Sequence, residues 1–120
     1  MPQTLLSAAQ ILAAEDLSHE DHEVPEWGGT VRLQQMSAEE SMAFTKELKE
    51  VNAAAGEGEN LGMFLMLVHS ARDLDGKRIF TVADLPGLKR KSIDVLNRLQ
   101  RITLKLNKMG FVEEVVLKKA

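Results

Sequence analysis

The residues best suited to chemistry lie in the acidic segment His19-Glu20-Asp21-His22, whose imidazoles and carboxylates are potential metal ligands. Its two histidines are three residues apart, whereas the zincin motif H-E-x-x-H places them four apart on a helix. The surrounding sequence also lacks helical periodicity. We therefore interpret the segment as a solvated acidic loop and predict neither a metal site nor a cofactor.

The other candidates for catalysis have simpler structural explanations. His69 lies in an apolar stretch, where an isolated histidine usually packs in the core, and Asp73 and Asp75 flank a predicted turn, where aspartate is favoured. The chain has no cysteine and no match to a P-loop, a calcium loop, a dinucleotide fingerprint or a nucleophile elbow. The sequence therefore predicts a protein that is not an enzyme.

The first elements are a short helix and a β-hairpin. Ser7 and Gln10 have the spacing of a capping box and predict a helix ending near Asp16. Residues 17–23 are polar and indicate a connector or a weak edge strand. Residues 23–33 predict a hairpin whose two-residue turn is Gly28-Gly29, with Pro25 in the edge strand.

Helices dominate the rest of the chain. A second capping box at Ser37 predicts a helix to about Ala54, and residues 61–74 predict an apolar helix central to the core. Asp75-Gly76 predicts a turn, followed by an extended piece at 79–80 and a helical turn capped by Thr81. Pro86-Gly87 is predicted to interrupt the helical structure. A long helix is predicted over 88–109, with Gly110 as its C-terminal glycine.

These elements define the predicted fold class. It is α+β, a mostly α-helical single domain over residues 1–120 with a small N-terminal β-hairpin. Residues 111–120 are apolar and basic, and two interpretations stay open: a further helix or a flexible tail. The N-terminus has no basic segment typical of a signal peptide, and no apolar run approaches the roughly 18 residues of a membrane span. We therefore expect an intracellular, soluble protein with no membrane partner.

Charge is distributed unevenly along the chain. Residues 1–60 carry three basic and twelve acidic side chains, whereas residues 61–120 carry twelve basic and six acidic ones. The basic half could present a surface to a partner. Equally, the two halves could attract each other, within one chain or between copies.

The predicted long helix has two distinct rows of side chains. Val95, Leu99, Ile102, Leu106 and Met109 form an apolar seam that Leu96 widens, and a basic row runs apart from it. We predict that the basic row and the apolar tail bind a partner. The candidate binding residues are Lys91, Arg98, Arg101, Lys105, Lys108, Phe111, Val112, Val115 and Val116. The methionines Met36, Met42, Met63, Met66 and Met109 could add an adaptable binding surface or simply fill the core.

Residues 81–97 also resemble the helix-turn-helix of DNA-binding repressors, in which a turn glycine, here Gly87, precedes the recognition helix. Pro86 leaves the first helix barely one turn long. The chain as a whole has a net charge of −3, whereas phosphate binding favours a basic domain. A DNA-binding regulator is therefore the alternative function, and nucleic acid is not the expected partner.

Five runs together resemble the tail assembly chaperones of siphophages. They are AQILAAEDL at 9–17, VPEWGGTVR at 24–32, SAEE at 37–40, DGKRIFTVADL at 75–85 and LKLN at 104–107, in the order found in that family. The Pro-Glu-Trp-Gly-Gly hairpin is the most specific of them. Residues 111–120 depart from the pattern.

The resemblance implies a non-enzymatic chaperone of a phage or prophage. Members of the family coat the tape-measure protein until the tail tube assembles around it, and they commonly have a longer form made by ribosomal frameshifting. This chain would be the short form, with the tape-measure protein, and possible contacts to the tail tube protein, the longer form and further copies of itself, as partners. It would act in the host bacterial cytoplasm and be absent from the mature virion. A minor structural tail protein is a further alternative.

Overall fold

The computed structural model describes residues 4–109, and these form a mostly helical domain with a three-stranded sheet near the N-terminus. The α+β fold class is therefore confirmed. The helices are α1 (Ala8–Ala13), α2 (Ala38–Ala55), α3 (Gly62–Ser70), α4 (Leu85–Leu88) and α5 (Ile93–Leu106). The strands are β1 (His19–Val24), β2 (Gly29–Gln34) and β3 (Ala71–Arg72), and two short 3-10 helices span Pro25–Trp27 and Val82–Asp84.

Both predicted capping boxes are present. At the start of α2, the Ser37 hydroxyl accepts the backbone N–H of Glu40 at 3.1 Å, and the Glu40 carboxylate accepts the Ser37 N–H at 3.0 Å. Ser7 and Gln10 make the same reciprocal pair at the start of α1. The first helix ends at Ala13, earlier than predicted, because Ala14 is already extended.

The hairpin is confirmed, but its predicted turn is wrong. Val24 pairs with Gly29, so the connection is the four residues 25–28 rather than Gly28-Gly29. Pro25 opens a 3-10 helix because its fixed φ suits the first residue of a helical turn, and it therefore lies outside the edge strand. Only one glycine of the pair, Gly28 with φ 74°, has the left-handed conformation.

The acidic segment 19–22 belongs to β1, an edge strand, which confirms the edge-strand alternative for residues 17–23 and corrects the interpretation of the segment as a loop. The other edge of the sheet is β3, which the sequence had assigned to the end of the apolar helix. The helix ends at Ser70 because Ala71 and Arg72 pair antiparallel with Leu33 and Arg32 of β2. The prediction of helix over 71–74 was therefore wrong.

The predicted long helix is divided. Pro86 and Gly87 do not interrupt the helical structure but lie within α4. The first turn of a helix tolerates proline because its backbone N–H groups have no acceptor within the helix. A separate helix, α5, starts after Ser92 and ends at Leu106, with Asn107 as its cap. The predicted closure at Gly110 lies outside the described residues.

The buried helix α3 joins the two halves of the core, as predicted. On one side Leu67 packs with strand residues Val24 and Leu33 and with the apolar seam of α5. On the other side Leu65, Met66 and Val68 pack with residues of α2 and α4. The α5 seam is confirmed, since its buried members are Val95, Leu96, Leu99 and Ile102. None of the helices between residues 4 and 109 is long and apolar enough to cross a membrane.

Candidate partner-binding surface

The N-terminal arm, residues 4–18, carries five of the exposed large apolar side chains of the described structure. Leu5 is 93% exposed and Leu12 is 85% exposed, and α1 contributes no buried residue to the described domain. The arm joins the domain at Ser18, whose carbonyl accepts the Gln35 N–H at 2.8 Å. Its large apolar side chains are Leu5, Leu6, Ile11, Leu12 and Leu17.

An isolated helix as short as α1 is marginally stable in water, and its capping box offsets only part of that cost. Contiguous exposed apolar surface in a folded protein marks an interaction site. The arm is therefore a candidate interaction segment. The sequence predicted the helix but not its exposure.

The predicted basic row on α5 is partly engaged within the domain. Arg98 forms an ion pair with Glu26 in the hairpin turn, and its Nε lies 3.4 Å from Asp94. Further along, the Lys105 Nζ lies 3.0 Å from Oε1 of Glu20 on β1. The remaining cations of the row are exposed and make no ion pair with another described residue; they are Lys91, Arg101 and Lys108.

The predicted apolar members of the binding site, Phe111, Val112, Val115 and Val116, lie outside the described residues. The methionines divide between the two interpretations. Met36 and Met66 are buried in the core, whereas Met42 on α2 is 75% exposed.

Carboxylates near the sheet are held in their charged form. Arg32 donates to both oxygens of Asp21, at 2.7 and 3.0 Å, and this hydrogen bonding lowers the pKa of Asp21. The pKa of Glu26 is lowered by its own backbone N–H and, to a lesser degree, by Arg98. This surface is therefore a set of paired charges rather than a reactive carboxylate cluster.

A buried polar network joins α2, α3 and β3. The Arg72 guanidinium binds Glu40 and donates to the His69 carbonyl at 2.7 Å and the Gly76 carbonyl at 3.2 Å. Partial burial raises the pKa of Glu40, but hydrogen bonds from the Ser37 backbone and from Arg72 outweigh it, so the pKa is lowered. The network ties the chain after α3 to the start of α2.

His69 is a packed histidine, as predicted, and the structure supplies partners that the sequence did not reveal. Arg78 Nη1 lies 3.0 Å from Nδ1. Because a guanidinium only donates, Nδ1 accepts and the ring proton lies on Nε2, which is 3.4 Å from Glu47. The Phe44 ring meets the imidazole edge to face. Burial and Arg78 lower the pKa of His69, against the opposing effect of Glu47.

The part of the chain that the structure describes contains no group of three or more His, Cys, Asp or Glu residues placed to hold a metal ion. In the acidic segment, the strand conformation directs His19 and Asp21 to one face and Glu20 and His22 to the other. The four side chains therefore do not converge.

An apolar groove lies between α2, α3 and α5, at the point where the described chain ends. Its volume is about 370 Å³. Met109, the last described residue, forms part of the wall. The lining side chains include Phe44, Leu48, Met63, Met66, Leu104 and Met109.

The fold has a counterpart among solved structures. The tail assembly chaperone of bacteriophage HK97 is similar over 82% of this chain and 90% of its own, with a TM-score of 0.54 and 23% sequence identity. At this identity the likeness shows the fold: the chain has the fold of a phage tail assembly chaperone. No protein-family model and no curated protein matches the chain.

Proposed function

We propose that this protein is a phage or prophage tail assembly chaperone that binds the tape-measure protein and keeps it soluble while the tail tube assembles. The observation that carries the proposal is the fold likeness to the HK97 tail assembly chaperone, which spans most of both chains. The exposed N-terminal arm supports a binding role, because it offers apolar surface that the domain itself does not cover.

The physical requirements of the task fit such an arm. A tape-measure protein is long and helical, so before assembly it exposes apolar stripes that promote aggregation. Short apolar arms on many chaperone copies would cover these stripes through contacts that are weak singly and strong together. The tail tube protein would then displace the chaperone by competing for the same stripes, without nucleotide or cofactor. We infer that the chaperone is not an enzyme, acts in the host bacterial cytoplasm and leaves before the virion matures.

A further part of the proposal concerns the assembly of the chaperone itself. A longer, frameshifted form and additional copies of this chain are its expected companions. The exposed cations Lys91, Arg101 and Lys108 supply positive surface for an acidic partner, and they remain candidates for that contact.

The DNA-binding alternative receives less support. Gly87, which would be the turn glycine of a helix-turn-helix, lies inside the four-residue helix α4 and not in a turn between two helices. In addition, Arg98 and Lys105 on α5 are paired with carboxylates, so they are less available to phosphates.

Co-expression with the tape-measure protein of the same phage tests the proposal. We expect the tape-measure protein to move into the soluble fraction and to elute together with several copies of this chain. If it stays insoluble and the two proteins never co-elute, the chain is not a sufficient tape-measure chaperone. Detection of the chain in purified particles would instead favour the minor structural protein.

A further inference from the structure

The outer side of β1 is a sheet edge with backbone groups available for hydrogen bonding. Within residues 4–109, β1 pairs with β2 alone. The Gln35 N–H donates to the Ser18 carbonyl, and along an antiparallel pair every second residue bonds to the neighbouring strand in this way. The backbone N–H and C=O groups that point away from β2 are therefore those of His19, Asp21 and Glu23.

The side chains along this edge carry negative charge. Asp21 and Glu23 direct exposed carboxylates to the same face of the sheet. Asp21 is paired with Arg32, whereas Glu23 makes no ion pair with another described residue. The end of the arm adds the exposed acids Glu15 and Asp16, and no lysine or arginine precedes Arg32 in the chain. A strand that adds to this edge should therefore carry cations.

A second copy of β1 fits this edge less well than a basic segment does. In the antiparallel arrangement that pairs all three outward-facing residues of two β1 strands, Asp21 lies opposite Asp21 of the other copy. Like charges directly opposite each other on neighbouring strands are destabilising, and charged edge strands resist pairing with their own kind. A segment with lysine or arginine at every second position would instead place cations opposite Asp21 and Glu23, because side chains on one face of a strand recur every two residues.

We propose that β1 is a docking edge for a partner protein, and that it takes up an extended segment with lysine or arginine at alternate positions as a further strand of the three-stranded sheet. Main-chain hydrogen bonds to the outward-facing groups supply the affinity, and the carboxylates supply the preference for basic sequence. This site is separate from the apolar side chains of the arm. The inference therefore stands without the chaperone proposal.

Amide hydrogen exchange, measured by NMR on the full chain, tests the site with a short blocked peptide of alternating lysine and threonine as the probe. We expect the peptide to slow exchange at the amides of His19, Asp21 and Glu23. Exchange at Glu20 and His22 should change little, because these amides already donate to β2. Binding through side-chain charges alone would not produce this alternation.

Two control peptides separate the contributions of charge and backbone. Glutamate in place of lysine keeps the extended backbone but reverses the charge. Methyl groups on the backbone nitrogens of the lysines keep the charge but remove the donors that would face β1. Neither control peptide should slow exchange at the outward-facing amides, and protection by either of them would contradict the proposed recognition.

A charge-reversal variant tests the acidic side chains. Glu23→Lys should weaken binding of the lysine peptide about fivefold, because a repulsive cross-strand pair replaces an attractive one. Glu57→Lys, in the turn after α2, makes the same charge change outside the sheet and should leave binding unchanged. Trp27, which packs against the core, reports by fluorescence that both variants remain folded.

Two results would overturn the proposal. The first is an absence of protection in the wild type, or equal binding by the two variants. The second is slow exchange at the outward-facing amides without any peptide, because the edge would then be covered already. Dilution that restores fast exchange would assign the cover to a second copy, and exchange that stays slow would assign it to the same chain.

Discussion

Lys105 on α5 and Glu20 on β1 are 85 residues apart in the sequence, and their Nζ and Oε1 atoms are 3.0 Å apart in the fold. Arg98 on α5 forms a second ion pair, with Glu26 in the hairpin turn. Arg72 on β3 forms a third, with Glu40 on α2. Each joins a base from the second half of the chain to an acid from the first. The uneven charge distribution is thus explained in part by attraction between the halves within one chain.

Removing the Arg72 guanidinium should destabilise the domain. Arg72→Met removes the guanidinium donor from one oxygen of Glu40 and from two carbonyls, and we expect a loss of about 2 kcal/mol in the free energy of unfolding. Arg101→Met, at an exposed cation without an ion pair among the described residues, should cost less than about 0.5 kcal/mol. Urea unfolding at pH 7 measures both. Equal losses would mean that the buried network contributes nothing.

Stability should fall on mild acidification because of His69. Its pKa is lowered from 6.5 in the folded protein, so the unfolded chain binds the proton first and unfolding is favoured as pH falls below 6.5, until the folded pKa is passed. The pKa of Glu40 is also lowered, and its contribution is lost separately as pH falls below 4.5 and through the folded pKa. Urea unfolding measured at several pH values from 8 to 5 gives the free energy of unfolding as a function of pH. This free energy should fall less steeply with decreasing pH for His69→Gln than for the wild type. Parallel curves would exclude His69 as the source.

The hairpin turn allows a matched test of backbone conformation. Gly28→Ala forces a β-carbon into a left-handed residue with φ 74° and should cost about 1 kcal/mol. Gly29→Ala, one residue later in β2, meets no atom within 4 Å and has no such strain, so its effect should be close to zero or slightly stabilising. Thermal unfolding of the two variants distinguishes them. A larger effect at Gly29 would contradict the four-residue connection.

The exposed arm should contribute little to the stability of the domain. Removal of residues 1–13 deletes α1, which buries no side chain, and should change the free energy of unfolding by less than about 0.5 kcal/mol. By contrast, Leu67→Ala in the centre of α3 should cost about 3 kcal/mol. A strongly destabilised truncation would show that the arm is part of the core after all.

The sequence predicted best what is decided locally. The boxes at Ser7 and Ser37 involve residues three apart, and the seam of α5 depends only on spacing, so both were correctly predicted. Long-range pairing was missed, because Ala71 becomes a strand residue only when Leu33 of β2 lies beside it. The exposure of α1 was also missed, because the residues that form a helix do not reveal whether the rest of the domain covers it.

The central claim, that a chaperone arm binds the tape-measure protein, is tested most directly by co-expression with matched variants. Leu5→Ser/Leu12→Ser removes two side chains from the arm, and Met42→Ser removes one exposed apolar side chain from α2 as the control. We predict that the wild type and the Met42 variant keep the tape-measure protein soluble and co-elute with it, whereas the arm variant loses most of the complex. Equal recovery with all three proteins would contradict a binding role of the arm, and no soluble complex with any of them would contradict the chaperone function.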